Sequence, residues 1–385
     1  MKRLNLLIML LILFIGQAEA KDVFKPYELW PDTDGLHINA HGGGVLSHGG
    51  LYYWYGEFKD RGSKANYGIA CYSSKDLYNW KNCGIVLKVG SRGSEIEKGC
   101  VMERPKVIYN SKTKKFVMWF HLELKGRGYD AARTGVAISD KATGPFKYIK
   151  SYRPVAGHWP VDLDKDKRQA LSKAEFAAIT AGKEHWQLGK TEYLLQRDFT
   201  EGQMARDMTL FVDDDGKAYH ISASEENQTL HICQLSDDYL SFTGRYSRVL
   251  IGQSNEAPAI CKYKGKYYML SSGCTGWAAN EARSAMAKNI LGPWKPLGNP
   301  CRGVNPHNKL GPEKTFGAQS TYILPVSGKD GAFIAMFDIW RPSNQRDSRY
   351  LWLPAIIEDG RLIVQWQDQW DLSWFDGDKS GKDSK

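Results

Sequence analysis

A pattern of polar and apolar positions recurs five times along the chain. Each copy begins with a polar residue four positions before an apolar one, then passes through a turn into a strand rich in aromatic and β-branched residues. The five leading polar residues are His41, Glu103, Asp207, Glu256 and Gln319. Such runs bounded by turns are typical of β-hairpins, and almost nothing between them has the period of a long amphipathic helix. Five units of this kind, each continued by further short strands, predict an all-β protein with the fold of a five-bladed β-propeller.

The register of the repeat has a consequence for the leading residues. In a propeller the first strand of every blade lines the central axis, so equivalent positions of the blades point toward one funnel. A buried carboxylate is costly unless it is paired or functional. Three carboxylates in the same register, Glu103, Asp207 and Glu256, therefore indicate a functional site at the axis.

The first copy contains three glycines, in the stretch HGGGV of residues 41–45, and this raises the possibility of a phosphate-binding loop. Such a loop needs a helix directly after it. Here a turn at residues 48–50 leads instead into the aromatic run LYYWY of residues 51–55. The stretch is therefore predicted to be a β-hairpin whose glycines leave room for a sugar, or for Gln319 and its water.

Three segments lie outside the repeat. Residues 1–20 combine a basic start, an apolar run and an Ala-Glu-Ala cleavage motif, which predicts a signal peptide and export to the periplasm or the medium. Within the propeller domain, residues 21–375, an insertion is predicted at about residues 152–202; it contains one possible helix and an acidic run at 162–166 that matches a calcium loop only loosely. Residues 376–385 are polar and predicted to be disordered.

Composition and charge narrow the class of partner. The formal net charge is +9, and it becomes +8 when the signal peptide removes two basic residues and one acidic residue. Acids and bases are interspersed, without a basic patch among aromatics, which argues against nucleic acid. No later apolar run reaches the length of a membrane span. The seven cysteines are scattered; Cys83 and Cys100 are the candidate bridge, and small core residues are the alternative.

The repeated phrases resemble glycoside hydrolase family 43, in particular the branch with exo-β-1,3-galactanases and β-1,3-galactosidases. The matching phrases are AHGGGVL, YYWYGE, ERPKVIYN, RDMTLFVDDDGKAYH, NEAPAICKYKGKYYMLSSGCTGW, QSTYILPV, SRYLWLP and WDLSWF. They span nearly all of the chain after residue 20, apart from the insertion. The resemblance implies an inverting, exo-acting hydrolase that releases terminal galactose from β-1,3-galactan, such as the backbone of plant arabinogalactan. It implies no required cofactor, although some members of the family hold calcium near the axis.

The resemblance also implies roles for the leading residues. Glu256 matches the general acid, Asp207 the aspartate that orients the acid and raises its pKa, and Glu103 a second-blade glutamate of the galactanase branch. His41 stands where usual members have an aspartate base. In the galactanase branch the fifth-blade glutamine, here Gln319, positions the water; either it acts through its imidic tautomer or Glu103 polarises the water.

A further set of residues matches the neighbourhood of the terminal sugar in that branch. The set comprises His41, Glu57, Arg104, Tyr129, Thr275 and Trp277. Carboxylates and arginine hydrogen-bond sugar hydroxyls, and a tryptophan face stacks on the apolar face of galactose. Each also has a structural alternative, for example Arg104 as an ion-pair partner of Glu103. His121 and His220 lie inside apolar strands and are interpreted as structural histidines.

Two alternatives to the galactanase hypothesis stay open. An α-L-arabinofuranosidase or a β-galactofuranosidase could use the same carboxylates, because loop contacts to hydroxyls decide which sugar is bound. A catalytically inactive propeller that only binds glycans would explain the missing first-blade aspartate. The retained residues Glu103, Asp207, Glu256 and Gln319 favour the enzyme over the binding protein.

Overall fold

Five sheets follow one another along the chain, one for each copy of the repeated pattern. The computed structural model describes residues 21–184, 187–188 and 190–377, and the first four blades are antiparallel sheets of four consecutive strands. Blade I contains β1 (His41–His48), β2 (Leu51–Glu57), β3 (Gly68–Ser74) and β4 (Lys81–Lys88). Blade II contains β5 (Val101–Asn110), β6 (Lys115–Glu123), β7 (Arg133–Ser139) and β8 (Lys147–Tyr152). Blade III contains β9 (Met208–Val212), β10 (Ala218–Ser224), β11 (Thr229–Leu235) and β12 (Phe242–Val249).

The last two blades complete the propeller. Blade IV contains β13 (Asn255–Tyr263), β14 (Lys266–Gly273), β15 (Arg283–Ala287) and β16 (Lys295–Gly298). Blade V contains β18 (Gln319–Pro325), β19 (Ala332–Ile339), β20 (Arg349–Glu358) and β21 (Arg361–Gln365), and the short strand β17 (Cys301–Arg302) adds to β21 in parallel. Short 3-10 turns occur at Lys165–Lys167, Pro312–Gly317, Gln345–Asp347 and Leu372–Asp376. The predicted five-bladed β-propeller is confirmed.

The blades close into a ring around the axis. The inner strands β1, β5, β9, β13 and β18 contact one another in that order, and β18 contacts β1. Clusters of buried apolar side chains fill each boundary between neighbouring blades. Strand β6, KFVMWFHLE, is buried at eight of its nine positions, because both faces of a middle strand are covered by other blades. Near the chain ends, the backbone N–H of Phe24 donates to the carbonyl of Trp370 over 2.7 Å.

A β-bulge follows the leading residue in three of the inner strands. The strand register shifts directly after His41, Glu103 and Glu256. The residue that follows each of them has a positive φ: +61° at Gly42, +55° at Arg104 and +52° at Ala257. A bulge bends the strand and changes the direction of a side chain. The bulges thus bend the first part of β1, β5 and β13, where the leading residues lie.

The three glycines of β1 make room for protein atoms, which corrects the prediction that they make room for a sugar. A β-carbon at Gly43 would lie 1.8 Å from the carbonyl oxygen of Tyr55 on the paired strand. At Gly42 it would lie 2.2 Å from the carboxylate of Glu57, and at Gly44 it would lie 2.7 Å from the side chain of Lys106. The three glycines therefore allow β1 to pack closely against β2, its partner in the hairpin, and against Lys106 of blade II.

Residues 153–207 connect β8 to β9 and form the connecting segment. It contains α1 (Lys173–Thr180) and α2 (Glu192–Arg197). Helix α1 begins at Ser172 with a capping box, because Ser172 and Glu175 each accept a hydrogen bond from the other's backbone N–H. Leu195 of α2 packs with Cys233 and Tyr246 of blade III, so the segment lies against that blade.

Several predictions concern residues that the structure does not describe. The predicted signal peptide, residues 1–20, lies outside the described residues, and so does the predicted disordered tail apart from residues 376 and 377. The domain limits stay predictions. All seven cysteines are free thiols, and Cys100 is buried in the core of blades I and II. In the described part of the chain, no helix is long and apolar enough to cross a membrane.

Candidate active site

A cavity of about 370 Å³ opens where the five blades meet. It contains four of the five leading residues, Glu103, Asp207, Glu256 and Gln319, together with side chains from the turns around them. The other residues of its wall are Glu57, Lys59, Arg104, His121, Tyr129, Arg206, Asn227, Gly276, Trp277 and Trp340. These four residues therefore lie in one site, as their shared register predicts.

Glu256 is held in a setting that favours its protonated form. Its Oε1 atom accepts a hydrogen bond from Asn227 Nδ2 over 2.8 Å, and the Sγ atom of Cys274 lies 3.3 Å from the same oxygen. Burial, together with the negative charge of Asp207, raises the pKa of Glu256 to about 7. The carboxyl can therefore hold a proton near neutral pH and release it to an acceptor in the cavity.

Asp207 is fixed by a cation and by the backbone of the neighbouring blade. Its Oδ2 atom accepts hydrogen bonds from Arg104 Nη2 over 2.9 Å and from the backbone N–H of Ala257 over 3.1 Å. Ala257 directly follows Glu256 in β13, so this contact ties the aspartate to the strand that carries the acid. The negative charge that raises the pKa of Glu256 is thereby held in a defined place.

Gln319 has an amide with a fixed orientation. Its Oε1 atom accepts from Arg104 Nη2 over 2.5 Å and from Trp340 Nε1 over 3.0 Å, and its Nε2 atom donates to Ser272 Oγ over 3.0 Å. The amide oxygen has two lone pairs, and both are used. One N–H of the ordinary amide tautomer is left to donate to a molecule in the cavity.

Glu103 belongs to a buried row of a carboxylate, an imidazole and a second carboxylate. His121 lies with Nδ1 3.3 Å from Glu103 and Nε2 2.9 Å from Glu123. Burial opposes ionisation of Glu103, but its hydrogen bond to His121 and the charge of Lys59 outweigh burial and hold its pKa at about 2. Burial likewise disfavours the charge on His121, but hydrogen bonds to the two carboxylates raise its pKa to about 9. Glu103 is therefore an anion beside an imidazolium.

Glu57 and Lys59 form a buried ion pair in the wall of the cavity next to Glu103. Lys59 Nζ contacts the Glu57 carboxylate and lies 3.7 Å from Glu103. The ring of Trp340 lies close to this group, with its centroid 5.9 Å from Lys59 Nζ and 5.6 Å from the guanidinium of Arg104. The wall thus combines alternating charges with one aromatic face, which is a surface that suits the hydroxyls and the C–H face of a sugar.

The structure separates the residues that the resemblance assigned to the sugar. Glu57, Arg104, Tyr129 and Trp277 lie in the wall of the cavity. His41 does not, because its ring is fully buried behind the site and stacks on Tyr350 with a centroid distance of 5.0 Å. Thr275 is also outside the wall.

The position of Thr275 follows from the loop that contains it. Its hydroxyl donates to the carbonyl of Ala278 over 2.6 Å and accepts from the amide of Asn280 over 2.7 Å. These bonds hold the hydroxyl within the loop between β14 and β15. His41 therefore needs correction as a residue that contacts the sugar, because its ring is fully buried, whereas contact of Thr275 with the sugar stays a prediction.

Sequence reasoning missed five polar or aromatic residues of the wall. They are Lys59, His121, Arg206, Asn227 and Trp340. Lys59 lies two positions after Glu57, and the two-residue period of an extended chain could have placed both on one side. His121 was interpreted as structural, but the strand register sets it opposite Glu103. His220 is buried and bonds to Thr134 over 3.0 Å, and it is not part of the wall.

Three potential metal ligands lie close together in the cavity. One ligand atom each of Glu103, His121 and Asp207 falls within 4.8 Å of the others. The fit to a metal ion is poor, because Arg104 already binds Asp207 and His121 is held as a cation between two carboxylates. At the loosely matching calcium loop, Asp162 accepts a hydrogen bond from the backbone N–H of Arg248 over 3.1 Å.

The fold and the site define a class of protein. A propeller cavity that contains a carboxyl protonated near neutral pH, a second carboxylate paired with an arginine beside it and a fixed polar group for water has the parts of a glycoside hydrolase. Residues 184–311 match the family model for glycosyl hydrolases family 43. Curated protein sequences gave no match to the chain.

Solved structures extend the match to most of the chain. A GH43 β-1,3-galactosidase, solved with galactodeoxynojirimycin, is 50% identical over 91% of this chain and 100% of its own, with a TM-score of 0.85. A second GH43 β-1,3-galactosidase is 40% identical over 92% of this chain and 65% of its own, with a TM-score of 0.75. An exo-β-1,3-galactanase from Clostridium thermocellum is 35% identical over 90% and 66%, with a TM-score of 0.72. The protein belongs to glycoside hydrolase family 43.

Proposed function

We propose that this enzyme is an exo-acting hydrolase that releases terminal galactose from β-1,3-galactan with inversion at the anomeric carbon. The observation that carries the proposal is the pair formed by Glu256, protonated near neutral pH, and Asp207, which is paired with Arg104, in a cavity lined by all five blades. The similar structures described as β-1,3-galactosidases and exo-β-1,3-galactanase support galactose as the sugar.

Glu256 supplies the acid half of the reaction. Its proton passes to the glycosidic oxygen as the bond between that oxygen and the anomeric carbon breaks, so the departing sugar leaves as a neutral alcohol. Asp207 keeps the proton on Glu256 before the reaction through like-charge repulsion. Arg104 balances the charge of Asp207 and holds it in place.

Gln319 and Glu103 act on the attacking water, which must be positioned and must lose a proton. Water attacks the anomeric carbon from the face opposite the leaving group and must lose a proton. The ordinary amide of Gln319 can donate one hydrogen bond to this water and so position it, because its oxygen is already occupied by Arg104 and Trp340. Two acceptors for the proton are open. Glu103 is ionised but weakly basic because of its low pKa. The alternative is the bare nitrogen of Gln319 in its imidic tautomer, which places a proton on Oε1 and so requires that oxygen to give up a hydrogen bond that it accepts from Arg104 or Trp340. We favour Gln319 as the group that holds the water.

Substrate, location and metal requirement are parts of the same proposal. Galactan of the plant arabinogalactan type would present terminal galactose to the wall formed by Glu57, Lys59 and Trp340. Residues 1–20 support export to the periplasm or the medium. We propose that the reaction needs no metal ion, since the acid and the water-positioning group are both side chains.

The test of the function is release of galactose from β-1,3-galactobiose and β-1,3-galactan, with the first-formed anomer identified by NMR in the presence of EDTA. We expect α-galactose as the initial product, at a rate that EDTA does not change. Arabinose release from 4-nitrophenyl α-L-arabinofuranoside without galactose release would favour the arabinofuranosidase. Measurable binding of galactan with no release from any glycoside would favour the inactive glycan-binding propeller.

The pKa of Glu256 predicts the shape of the pH profile. Because the acid must be protonated, kcat/KM on β-1,3-galactobiose is expected to fall as the pH rises above about 7. The Asp207→Asn variant removes the charge that helps to raise this pKa, so the alkaline limb should move to lower pH. Initial rates measured across the neutral range for both proteins check this, and an alkaline limb at the same pH in both would contradict it.

A further inference from the structure

The turn between β10 and β11 has an unusual backbone. Glu225, Glu226 and Asn227 are three consecutive non-glycine residues with positive φ, at +50°, +54° and +63°. The left-handed backbone is unfavourable for residues with a β-carbon, and asparagine tolerates it better than glutamate. Such a turn persists only where surrounding contacts outweigh the cost. The contacts that hold this turn come from blade III and from the connecting segment.

Glu225 anchors the first residue of the turn. Its side chain is fully buried, and its two oxygens accept from His231 Nε2 over 2.7 Å, from Arg248 Nε over 2.6 Å and from Arg248 Nη2 over 2.7 Å. Arg248 Nη2 also donates to Thr191 Oγ1 of the connecting segment over 2.7 Å. Blade III and the connecting segment thus share one buried ionic group.

Glu226 is held between two arginines of the connecting segment. Its Oε1 atom lies 3.0 Å from Arg197 Nη1, and its Oε2 atom lies 3.1 Å from Arg206 Nη2. Arg197 is itself fixed by a bidentate pair with Asp198, through Nε to Oδ1 and Nη2 to Oδ2, each over 2.7 Å. A bidentate pair sets the direction of a guanidinium as well as its position.

Asn227 connects this turn to the proposed acid. Its Nδ2 atom donates to Oε1 of Glu256 over 2.8 Å. The carbonyl oxygen of a carboxyl group is its better acceptor, and Oε1 receives both Asn227 Nδ2 and Cys274 Sγ, so this arrangement favours the proton on Oε2. The place of Asn227 therefore decides which oxygen of Glu256 presents the proton to the substrate.

We infer that Arg197 and Glu226 are positioning residues for the general acid, which they orient through the strained turn and Asn227. This gives the connecting segment a function in catalysis although Arg197 is not in the wall of the cavity. The inference rests on the proposed function, because it needs Glu256 to be the acid. It adds that contacts from blade III and from the connecting segment position the acid, in addition to the contacts of its own strand β13.

The experiment compares two substrates that differ in their need for an acid. β-1,3-Galactobiose has a poor leaving group that must be protonated, whereas 2,4-dinitrophenyl β-galactoside has one that leaves as an anion. For Arg197→Met we expect a loss of about 10- to 100-fold in kcat on galactobiose, since small misplacement of a catalytic group has effects of this order. On the dinitrophenyl substrate kcat should stay nearly constant. Arg197→Lys, which keeps the charge, should restore part of the loss.

Two further variants test whether the effect comes from misfolding or from the loss of any ion pair. Glu226→Gln preserves the size of the side chain and should show the same selective loss, and it replaces Arg197→Met if thermal melting shows that the latter does not fold. The matched control is Arg133→Met, which breaks the comparable ion pair of Arg133 with Glu95, 3.0 Å apart in blade II, and should have no selective effect.

The outcomes separate this inference from the proposed function. Equal losses on the two substrates, or no loss in either Arg197→Met or Glu226→Gln, would overturn the positioning role. If Glu256→Gln, measured on the same pair, removes activity on galactobiose, the acid assignment stands and only the positioning role has failed. If Glu256→Gln is active on galactobiose, the proposed mechanism itself has failed.

Discussion

Replacement of Glu256 with glutamine is expected to lower kcat on β-1,3-galactobiose about 10²- to 10⁴-fold. The amide has nearly the same shape as the carboxyl and can still accept the hydrogen bond from Asn227, but it has no acidic proton for the departing oxygen. Substrate binding should be retained, because the walls of the cavity are unchanged. Galactose release gives kcat and KM, and calorimetric titration of the variant with galactobiose gives binding.

The control for this substitution is a glutamate outside the cavity. Glu95 lies at the surface of blade II, where it pairs with Arg133 and bonds to Tyr148, so Glu95→Gln should keep the activity of the parent enzyme. Should Glu256→Gln retain most of its activity, Glu256 is not the acid. A loss of binding together with activity would instead point to a contribution of Glu256 to sugar recognition.

Replacement of Gln319 with alanine is expected to lower kcat by a similar factor, about 10²- to 10⁴-fold. The variant loses the N–H that would position the attacking water, and it leaves the donors Arg104 and Trp340 without their acceptor. Glu103→Gln should have the smaller effect on kcat, because Glu103 is tied to His121 and its low pKa makes it a weak base. The two variants are compared on galactobiose at one pH.

A third variant separates water positioning from structural support. Gln319→Glu keeps an oxygen for Arg104 and Trp340 but replaces the N–H by a carboxylate oxygen, so it preserves the wall while changing the contact with water. If Gln319→Ala is as active as the parent, the proton acceptor is Glu103 or another group. If Gln319→Glu and Gln319→Ala fail equally with intact thermal melting, the N–H itself is required.

The sequence predicted the leading residues of the site well and their surroundings less well. Glu103, Asp207, Glu256 and Gln319 were found because a repeat places its equivalent residues at equivalent points of a closed ring. His41 shares that register but is buried behind the cavity against Tyr350. Register along a strand is a local property, whereas the depth of a side chain depends on which aromatic residues the next blade brings against it.

Residues that come from turns were not predictable in the same way. Asn227 reaches Glu256 only because three consecutive residues adopt positive φ, and no local preference of two glutamates favours that backbone. The arginines that hold the turn lie 20 or more positions earlier in the chain. Trp340 likewise enters the wall directly after the end of β19, and its contact with Gln319 depends on where β19 ends and β18 begins.

The chain by itself determined the architecture and the kind of chemistry. Alternating apolar strands with regular turns can bury their faces only by stacking against one another, and five copies close a ring with carboxylates in register. The tertiary structure decided the electrostatic state of those carboxylates. Glu103 is ionised beside an imidazolium, and Glu256 is protonated near neutral pH beside Asp207. The reason is physical: a pKa depends on burial and on charges a few ångströms away, and the neighbours that supply them come from different blades.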